Sequence, residues 1–195
     1  MTNRASDAPR QLRPTEVKRL NREWRRASEA RLALLLDSVA QPFNVGSIVR
    51  SAAAFGAECL WLCGSTAPLS HPGVGKTALG TQRLVQATTE PSPVAAAKAA
   101  AAMGLRVVAI ELASGALPLH QAPVDGDVCL AFGNEDHGCS AALLAVADAI
   151  AYIPQPGRVG SLNVAVAAAV AMAEARRRAW TDSGPGGTDP ASGGP

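Results

Sequence analysis

Three short polar segments stand out because each follows an apolar run and mixes glycine with side chains that can bind or orient a ligand. The first runs from Asn44 to Arg50, with Gly46 between them. An amide and a guanidinium beside a helix start could converge on one ligand, although they serve as often as a cap and a surface charge. Gly46 is expected to permit a tight turn from strand to helix.

The second segment, FGNEDHG, places Gly133, Asn134 and Glu135 directly after an apolar run and closes with Gly138. Two glycines let backbone amides and carbonyls approach a ligand closely, and a plain connection would not need so many polar residues. His137 lies in the same segment, but no partner histidine or carboxylate spacing supports a metal ligand or a general base. We therefore interpret His137 as an exposed loop residue and predict no metal site.

The third segment, IPQPGRVGSLNV, starts at Ile153 and leads into an alanine-rich helix. Its prolines and glycines fix an unusual backbone path. Ser161 is expected to cap the helix, and Asn163 is expected in its first turn with an outward side chain. Both roles are compatible with a ligand site at the start of this helix.

Short apolar runs alternate with helix-like segments along the chain. Strands are predicted at 32–37, 59–63, 105–110, 128–132 and 149–153, and helices at 14–31, 46–56, 93–103, 140–146 and 161–180. This alternation predicts an α/β fold with a mostly parallel sheet and helices on both faces. Ligands bind such sheets at the carboxyl ends of the strands, where all three segments fall.

Composition predicts one globular domain preceded by a charged arm. The 195 residues are 48% hydrophobic, which suffices for one buried core. Residues 1–31 hold nine Arg or Lys against four Asp or Glu, a balance of +5, and the remainder holds nine against twelve, a balance of −3. A basic helical arm at 1–30 suits a polyanion such as RNA, although charge alone fits a solvated helix face equally well. We expect the domain at 31–180 and a disordered Gly/Pro-rich tail at 181–195.

The same composition favours a reduced compartment without a membrane. No apolar stretch reaches the roughly 18 residues needed to cross a bilayer, and the first residues lack the apolar core of a signal peptide. The expected location is the cytoplasm. Cys59, Cys63, Cys129 and Cys139 show neither C-x-x-C pairs nor clustered histidines, which favours reduced structural thiols.

Taken together, N-x-G-x-x-x-R, GNE-x-x-G and IP-x-x-G-x-x-x-SLNV resemble, in the same order, the three signature motifs of the TrmH-type family of SPOUT RNA methyltransferases. The resemblance spans about residues 31–178 and includes KTALG at 76–80. It implies methyl transfer from S-adenosylmethionine to a ribose 2′-hydroxyl of structured RNA. It also implies a C-terminal trefoil knot and an obligate homodimer, in which the partner's first motif completes the RNA site.

The resemblance also implies roles for individual residues. Ala165 and Gly160 depart from residues common in the family, but neither removes a matched catalytic group. Alignment of the attacking oxygen with the methyl carbon is the main contribution expected of the protein. The positions that match catalytic and substrate-positioning residues are Asn44, Arg50, Glu135, Ser161 and Asn163. Cofactor contacts, largely through backbone, are expected from Leu112, Gly133, Asn134, Ile153, Gln155, Ser161 and Leu162.

Two other functions deserve comparison with this one. SHPGVGKT at 70–77 looks like a phosphate-binding loop, yet Ser70 stands at its first glycine and no apolar strand directly precedes it, which disfavours a nucleotide hydrolase. A non-catalytic SPOUT protein that binds RNA is disfavoured because the motif residues are retained. The substrate is expected to be tRNA, which the basic arm slightly favours, with 23S rRNA as the alternative.

Overall fold

The computed structural model describes residues 9–180, which form seven strands and six α-helices. These residues divide into two compact units, one of 9–29 with Trp180 and one of 30–179. The predicted tail at 181–195 and the first eight residues of the predicted arm lie outside the described residues. The strands are β1 (Leu32–Asp37), β2 (Cys59–Cys63), β3 (Gln86–Glu90), β4 (Arg106–Ile110), β5 (Leu117–Pro118), β6 (Val128–Phe132) and β7 (Ala149–Tyr152). The helices are α1 (Pro14–Arg26), α2 (Pro42–Ala54), α3 (Pro72–Ala78), α4 (Pro93–Ala102), α5 (Ala141–Leu144) and α6 (Val164–Trp180).

The seven strands form one sheet in the order β3-β2-β1-β6-β4-β7-β5, and every pairing between them is parallel. Leu34 at the centre pairs with Leu60 on one side and Leu130 on the other. All residues of β1 and β6 are buried, as their unbroken apolar runs predict for strands covered on both faces. The predicted α/β class with a parallel sheet is confirmed.

Side chains of the central strands alternate between two apolar layers. Leu34 and Leu36 face the layer that contains α2, α3 and α6, while Ala33 and Leu35 face the layer that contains α4 and α5. This alternation follows from the two-residue period of a strand. Helices therefore cover both faces of the sheet, as predicted.

Helix α1 ends at Arg26, before the predicted end at residue 31. Its start is fixed by Pro14 and by Glu16, whose carboxylate accepts the backbone N–H of Arg13 at 2.6 Å. Within this unit, the rings of Trp24 and Trp180 lie with centroids 4.7 Å apart and planes tilted by 50°.

In the larger unit, Arg31 does not end a helix but is bonded to Asp127 just before β1. The carboxylate of Asp127 accepts its backbone N–H at 2.8 Å and its guanidinium at 2.8 and 2.9 Å. These bonds lower the pKa of Asp127, chiefly through the backbone bond and then through the guanidinium. Because Arg31 is held at the entrance to β1, it cannot also continue α1.

The predictions missed three elements and misplaced two helix starts. Strand β3 (Gln86–Glu90) is largely exposed at the sheet edge and therefore has no apolar run to announce it. Strand β5 has only two residues. Helix α3 contains Pro72 and two glycines, and its start is capped by His71, whose Nδ1 accepts the Gly73 N–H at 3.0 Å. The segment that resembled a phosphate-binding loop is therefore a short packed helix.

Three of the four cysteines are buried, and all four are free thiols. Burial is the main cause that raises their pKa values, to about 12 for Cys63 and well above the ordinary value for Cys129. Such thiols stay protonated and unreactive near neutral pH. None of the helices within 9–180 is long and apolar enough to cross a membrane.

Candidate active site

A cavity of about 530 Å³ opens where β4, β6 and β7 end. Its volume lies within the roughly 300–1,000 Å³ that is usual for small-molecule sites. Ile110, Phe132 and Ile153 supply apolar wall, and the charged residues that line it are acidic apart from His137. Every residue expected to contact a cofactor lines this cavity: Leu112, Gly133, Asn134, Ile153, Gln155, Ser161 and Leu162.

Gln155 carries an unusual atom within this wall. Its Oε1 is buried and has no hydrogen-bond partner among the described residues. A buried acceptor without a partner is costly, by about 1–3 kcal/mol, so such atoms commonly indicate a missing ligand or water. Gln155 thus has an enclosed acceptor in the cavity wall that no group of the described residues satisfies.

The loop after β6 closes on itself through backbone bonds. Asn134 N–H donates to Gly138 O at 3.0 Å, and Gly138 N–H donates back to Asn134 O at 2.9 Å. A Cβ on Gly133 would collide with the backbone of Gly138 and Cys139. The first glycine of GNE-x-x-G is therefore required by the close approach of two backbone segments.

The Asn134 side chain is engaged at both ends by the protein. Its Nδ2 donates to Ser38 O at 2.8 Å, while its Oδ1 accepts the N–H groups of Asp136 at 2.9 Å and His137 at 3.2 Å. This side chain shapes the loop and ties it to the end of β1. Because its backbone N–H and C=O are bonded to Gly138, Asn134 acts mainly by holding the loop in shape.

Glu111, which the sequence analysis did not single out, holds the same loop from beneath. Its Oε1 accepts the Leu112 N–H at 3.0 Å, and its Oε2 accepts the Cys139 N–H at 2.8 Å. A Cβ on Gly138, whose φ is +70°, would meet this carboxylate. The only sequence signal was a single acid at the end of the apolar run LRVVAI.

The start of α6 differs from the prediction. The helix begins at Val164, and the Oδ1 of Asn163 accepts the N–H groups of Ala165 at 2.9 Å and Val166 at 3.3 Å. Asn163 is thus the cap, because its oxygen satisfies two amides that the helix itself cannot bond. The predictions that Ser161 caps the helix and that Asn163 lies in its first turn with an outward side chain were wrong. Ser161 is exposed and lines the cavity.

The cap also links the third motif to the other two. Asn163 Nδ2 donates to Asn44 Oδ1 at 2.9 Å, and Asn44 Nδ2 donates to Glu135 Oε1 at 2.8 Å. Because the Asn163 oxygen must face the helix amides, each amide in this series has one favoured orientation. We call Asn163, Asn44 and Glu135 the amide relay.

Glu135 ends the relay as an acceptor. Its carboxylate also accepts the backbone N–H groups of Ala40 and Gln41, both at 3.1 Å. Loss of surrounding water tends to raise the pKa of Glu135, but the bonds from Asn44 and from backbone amides outweigh it and leave the pKa below its ordinary value. Glu135 is therefore an anion at neutral pH.

The first motif lies inside a helix rather than in a turn. Helix α2 begins at Pro42, so Asn44 occupies its first turn and Gly46 its interior. A Cβ on Gly46 would collide with the Thr77 side chain and with the Val74 carbonyl of α3. The predicted role of Gly46 in a tight turn was wrong, since its absent side chain lets α3 approach. Thr77, in the KTALG segment, strengthens this contact by donating to Phe43 O at 2.9 Å.

Arg50 stands apart from the residues above. It is exposed, does not line the cavity, and has no hydrogen-bond or ion-pair partner within residues 9–180. Arg50 lies six positions after Asn44, and at about 100° per residue the two side chains leave α2 roughly 120° apart. The expectation that Asn44 and Arg50 converge on one ligand does not hold within one chain. Over the same residues, no group of three or more His, Cys, Asp or Glu could hold a metal ion.

The fold and site define an α/β protein with a cavity at the carboxyl edge of a parallel sheet, lined by the second and third polar motifs and joined to the first through Asn44. The chain belongs to the SpoU rRNA Methylase family, whose model matches residues 31–173. The resemblance to TrmH-type SPOUT proteins is thereby confirmed.

Individual relatives agree with this assignment. The 23S rRNA (guanosine(2553)-2′-O)-methyltransferase of Bacillus subtilis is 36% identical over 143 residues, which are 72% of this chain and 56% of the relative. The SpoU methyltransferase AviRb from Streptomyces viridochromogenes, solved with AdoMet, has a TM-score of 0.69 at 32% identity over 76% of this chain and 60% of that one. A structure described as giving insights into 2-OH methylation of C/U34 on tRNA has a TM-score of 0.68 at 35% identity, over 76% of this chain and 96% of that one. The chain spans only 57%, 56% and 60% of the first curated relatives that it matches.

Proposed function

We propose that this protein transfers a methyl group from S-adenosylmethionine to a ribose 2′-hydroxyl of structured RNA. The observation that carries the proposal is the amide relay, which joins one residue from each motif at the rim of the cavity. Glu135 and Asn163 line the cavity, and Asn44 lies between them. A cofactor in the cavity and a ribose at the relay would therefore meet at one place.

The cavity suits S-adenosylmethionine by shape and charge. Its apolar walls suit an adenine ring. The acidic residues on its wall are Glu111, Glu135 and Asp136, beside His137, with no Lys or Arg among the lining residues described. Such a wall favours a cationic ligand, and the sulfonium would supply the activated methyl group. Backbone at Leu112, Gly133, Ile153 and Leu162, together with Asn134, Gln155 and Ser161, is proposed to hold it.

The catalytic contribution of the chain would be mainly orientation. The relay fixes the amides of Asn44 and Asn163 so that the ribose meets groups that need no rearrangement. Ser161 has a hydroxyl at the cavity mouth that can reach the same substrate. A guanidinium is a poor proton acceptor, so we assign Arg50 phosphate anchoring and polarisation of the hydroxyl rather than proton removal.

Arg50 is proposed to act on the site of a second copy in a homodimer. Exposed apolar side chains surround the point where α2 and α6 begin: Phe43 is 52% exposed, Val166 50% and Val170 39%. The helix starts are joined by the bond between Asn44 and Asn163, so a partner on this surface would lie beside the relay. Exposed apolar surface next to a polar site is typical of an interface.

We also propose the C-terminal trefoil knot. Strand β5 lies at the sheet edge, and β7, which comes later in the chain, lies between β5 and β4. The last strand is thus placed between two strands that precede it in the chain. Such a placement is expected if the C-terminal segment passes through a loop formed earlier. This strand order supports the knot, which is rare among proteins.

The RNA class is proposed as tRNA, with 23S rRNA as the second candidate, and the location as the cytoplasm. Names of relatives include both RNA classes. We propose the basic arm at 1–30 and the methyltransferase domain at 31–180 as separate functional regions. The arm is the feature that favours tRNA.

Replacement of Arg50 by Ala tests the division of roles. We expect Arg50→Ala to abolish methyl transfer to an unmodified tRNA transcript and to a 23S rRNA fragment. Calorimetric affinity for S-adenosylmethionine should stay within about twofold, because Arg50 does not line the cavity. Loss of cofactor affinity with retained turnover would overturn the assignment.

Mixing two inactive variants tests whether Arg50 acts across the dimer. The first variant is Arg50→Ala, and the second is Gly133→Val, in which a larger side chain would disrupt the cofactor loop. After random subunit exchange, about half of the dimers are mixed and each has one complete site, so about a quarter of the normal activity should return. Action within one chain predicts no recovery.

A further inference from the structure

The arm, including helix α1, carries cations in two different situations. Arg10 and Arg13 contact Glu16 at 2.7 and 3.2 Å, and Arg19 approaches Glu23 at 3.8 Å. Four other cations on the helix have no ion-pair or hydrogen-bond partner within residues 9–180. These are Lys18, Arg22, Arg25 and Arg26, all of them exposed.

These four cations share one face of α1, which we call the basic stripe. At about 100° per residue, they fall within roughly 100° of arc and along about 12 Å of helix. Glu16 and Glu23 lie outside this arc. Their ion pairs are with the arginines at 10, 13 and 19 and not with the stripe. The stripe therefore has an uncompensated charge of four along a straight path.

The opposite face of α1 is apolar. Val17, Leu20 and Trp24 lie roughly 170–230° around the helix from the middle of the stripe, and the Trp24 ring contacts Trp180. The apolar face of α1 thus packs against Trp180, within the same unit. The stripe is left on the face that points away from this contact.

We propose that the basic stripe binds the phosphate backbone of the substrate RNA. This inference rests on the proposed function, since it names where on the chain the same RNA is held. The stripe lies before residue 31, where the match to the family model begins, so it would be an addition to the shared domain. Arginines without competing carboxylates suit phosphate oxygens because they can donate two parallel bonds.

Binding through phosphates has a measurable dependence on salt. Each phosphate contact contributes about 0.7–0.9 to the slope of log affinity against log salt concentration. The variant Arg22→Gln, Arg25→Gln, Arg26→Gln should therefore lower the slope for an unmodified tRNA transcript by about 2–3 and the affinity at 150 mM salt by at least about tenfold. Glutamine preserves helix propensity, so α1 should remain folded.

The chain offers a charge-matched control. The variant Arg10→Gln, Arg13→Gln, Arg19→Gln removes the same three charges from the ion-paired positions, and it should change the slope by less than one. Methyl transfer by the stripe variant should show a raised KM for RNA with kcat at saturating RNA kept within about twofold. Circular dichroism checks that both variants retain their helix content.

Equal losses in the two variants, or no loss in either, would overturn the proposal. An effect on kcat without an effect on KM would do so as well. Failure of the proposed function is distinguishable, because it would appear as absent binding of S-adenosylmethionine to the unaltered protein. RNA binding by the stripe is measured separately, so the two failures give different results.

Discussion

Replacement of Asn163 by Asp separates the two tasks of this residue, which are to cap α6 and to carry the relay. Aspartate keeps an oxygen for the Ala165 and Val166 amides, and it is as good a cap as asparagine. Its second oxygen would replace the donor that lies 2.9 Å from Asn44 Oδ1. Two acceptors would then face each other, and rotating the Asn44 amide would only move the conflict to Glu135.

The size of the effect follows from the lost bond. A hydrogen bond contributes about 0.5–1.5 kcal/mol, and an unpaired acceptor costs somewhat more. Both side chains are partly open to water, so we take about 1–2 kcal/mol for the conflict. This free energy corresponds to about a 5- to 30-fold loss in kcat/KM. Because the same conflict lies in the folded protein, the unfolding free energy should fall by no more than about 1–2 kcal/mol, since the cap is kept.

Asn163→Ala is the matched comparison because it removes both functions. It should lower the unfolding free energy by about 1 kcal/mol and also reduce methyl transfer. The assay measures transfer of labelled methyl to RNA at saturating cofactor, beside urea unfolding of each variant. The reasoning is refuted if Asn163→Asp retains full kcat/KM, or if its loss of activity merely follows its loss of stability.

Three further predictions concern the loop after β6, the anchoring of α6 by Arg176, and the charge of Glu135. Gly138→Ala should weaken cofactor binding by at least about tenfold, because Gly138 has a φ of +70° and an added Cβ would meet Glu111. The loss should be smaller in a Glu111→Ala background. Equal losses of calorimetric affinity in the two backgrounds would contradict this coupling. Arg176→Ala should lower the unfolding free energy by about 2–4 kcal/mol, since its guanidinium donates to three carbonyls at 2.7–2.9 Å, and a change below 1 kcal/mol would count against it. The pKa of Glu135 is lower in the folded protein, so ionised Glu135 should stabilise the fold above its ordinary pKa of about 4.3 and lose this effect as the pH falls through its folded pKa. The unfolding free energies of wild type and Glu135→Gln should therefore converge towards pH 3. A gap that stays constant with pH would refute this pH dependence.

Much of the fold could be predicted because buried parallel strands have a local signature. LALLLD and VCLAF are unbroken apolar runs, and both are fully buried strands at the sheet centre. Strand β3 could not be found in this way, since Gln86–Glu90 takes its place by pairing with β2 rather than by burying its own side chains. Helix α3 is likewise held by its contact with Gly46, which no local pattern reveals.

The residues of the site could be predicted, but their arrangement could not. Motif spacing located Asn44, Glu135 and Asn163, whereas the bonds that join them span 91 and 119 positions in the sequence. The choice between Ser161 and Asn163 as the cap depends on where the backbone after Gly160 first turns helical. Glu111 was missed because its function lies in contacts with a distant loop.

The position of the transferred methyl group tests the central proposal most directly. The protein would be incubated with methyl-labelled S-adenosylmethionine and either tRNA or a 23S rRNA fragment, and the RNA would then be digested with alkali. Methylation of a ribose 2′-hydroxyl removes the nucleophile that alkali needs, so the label should appear in an alkali-stable dinucleotide. Label in a methylated base, or no transfer to either RNA by protein that binds the cofactor, would contradict the account.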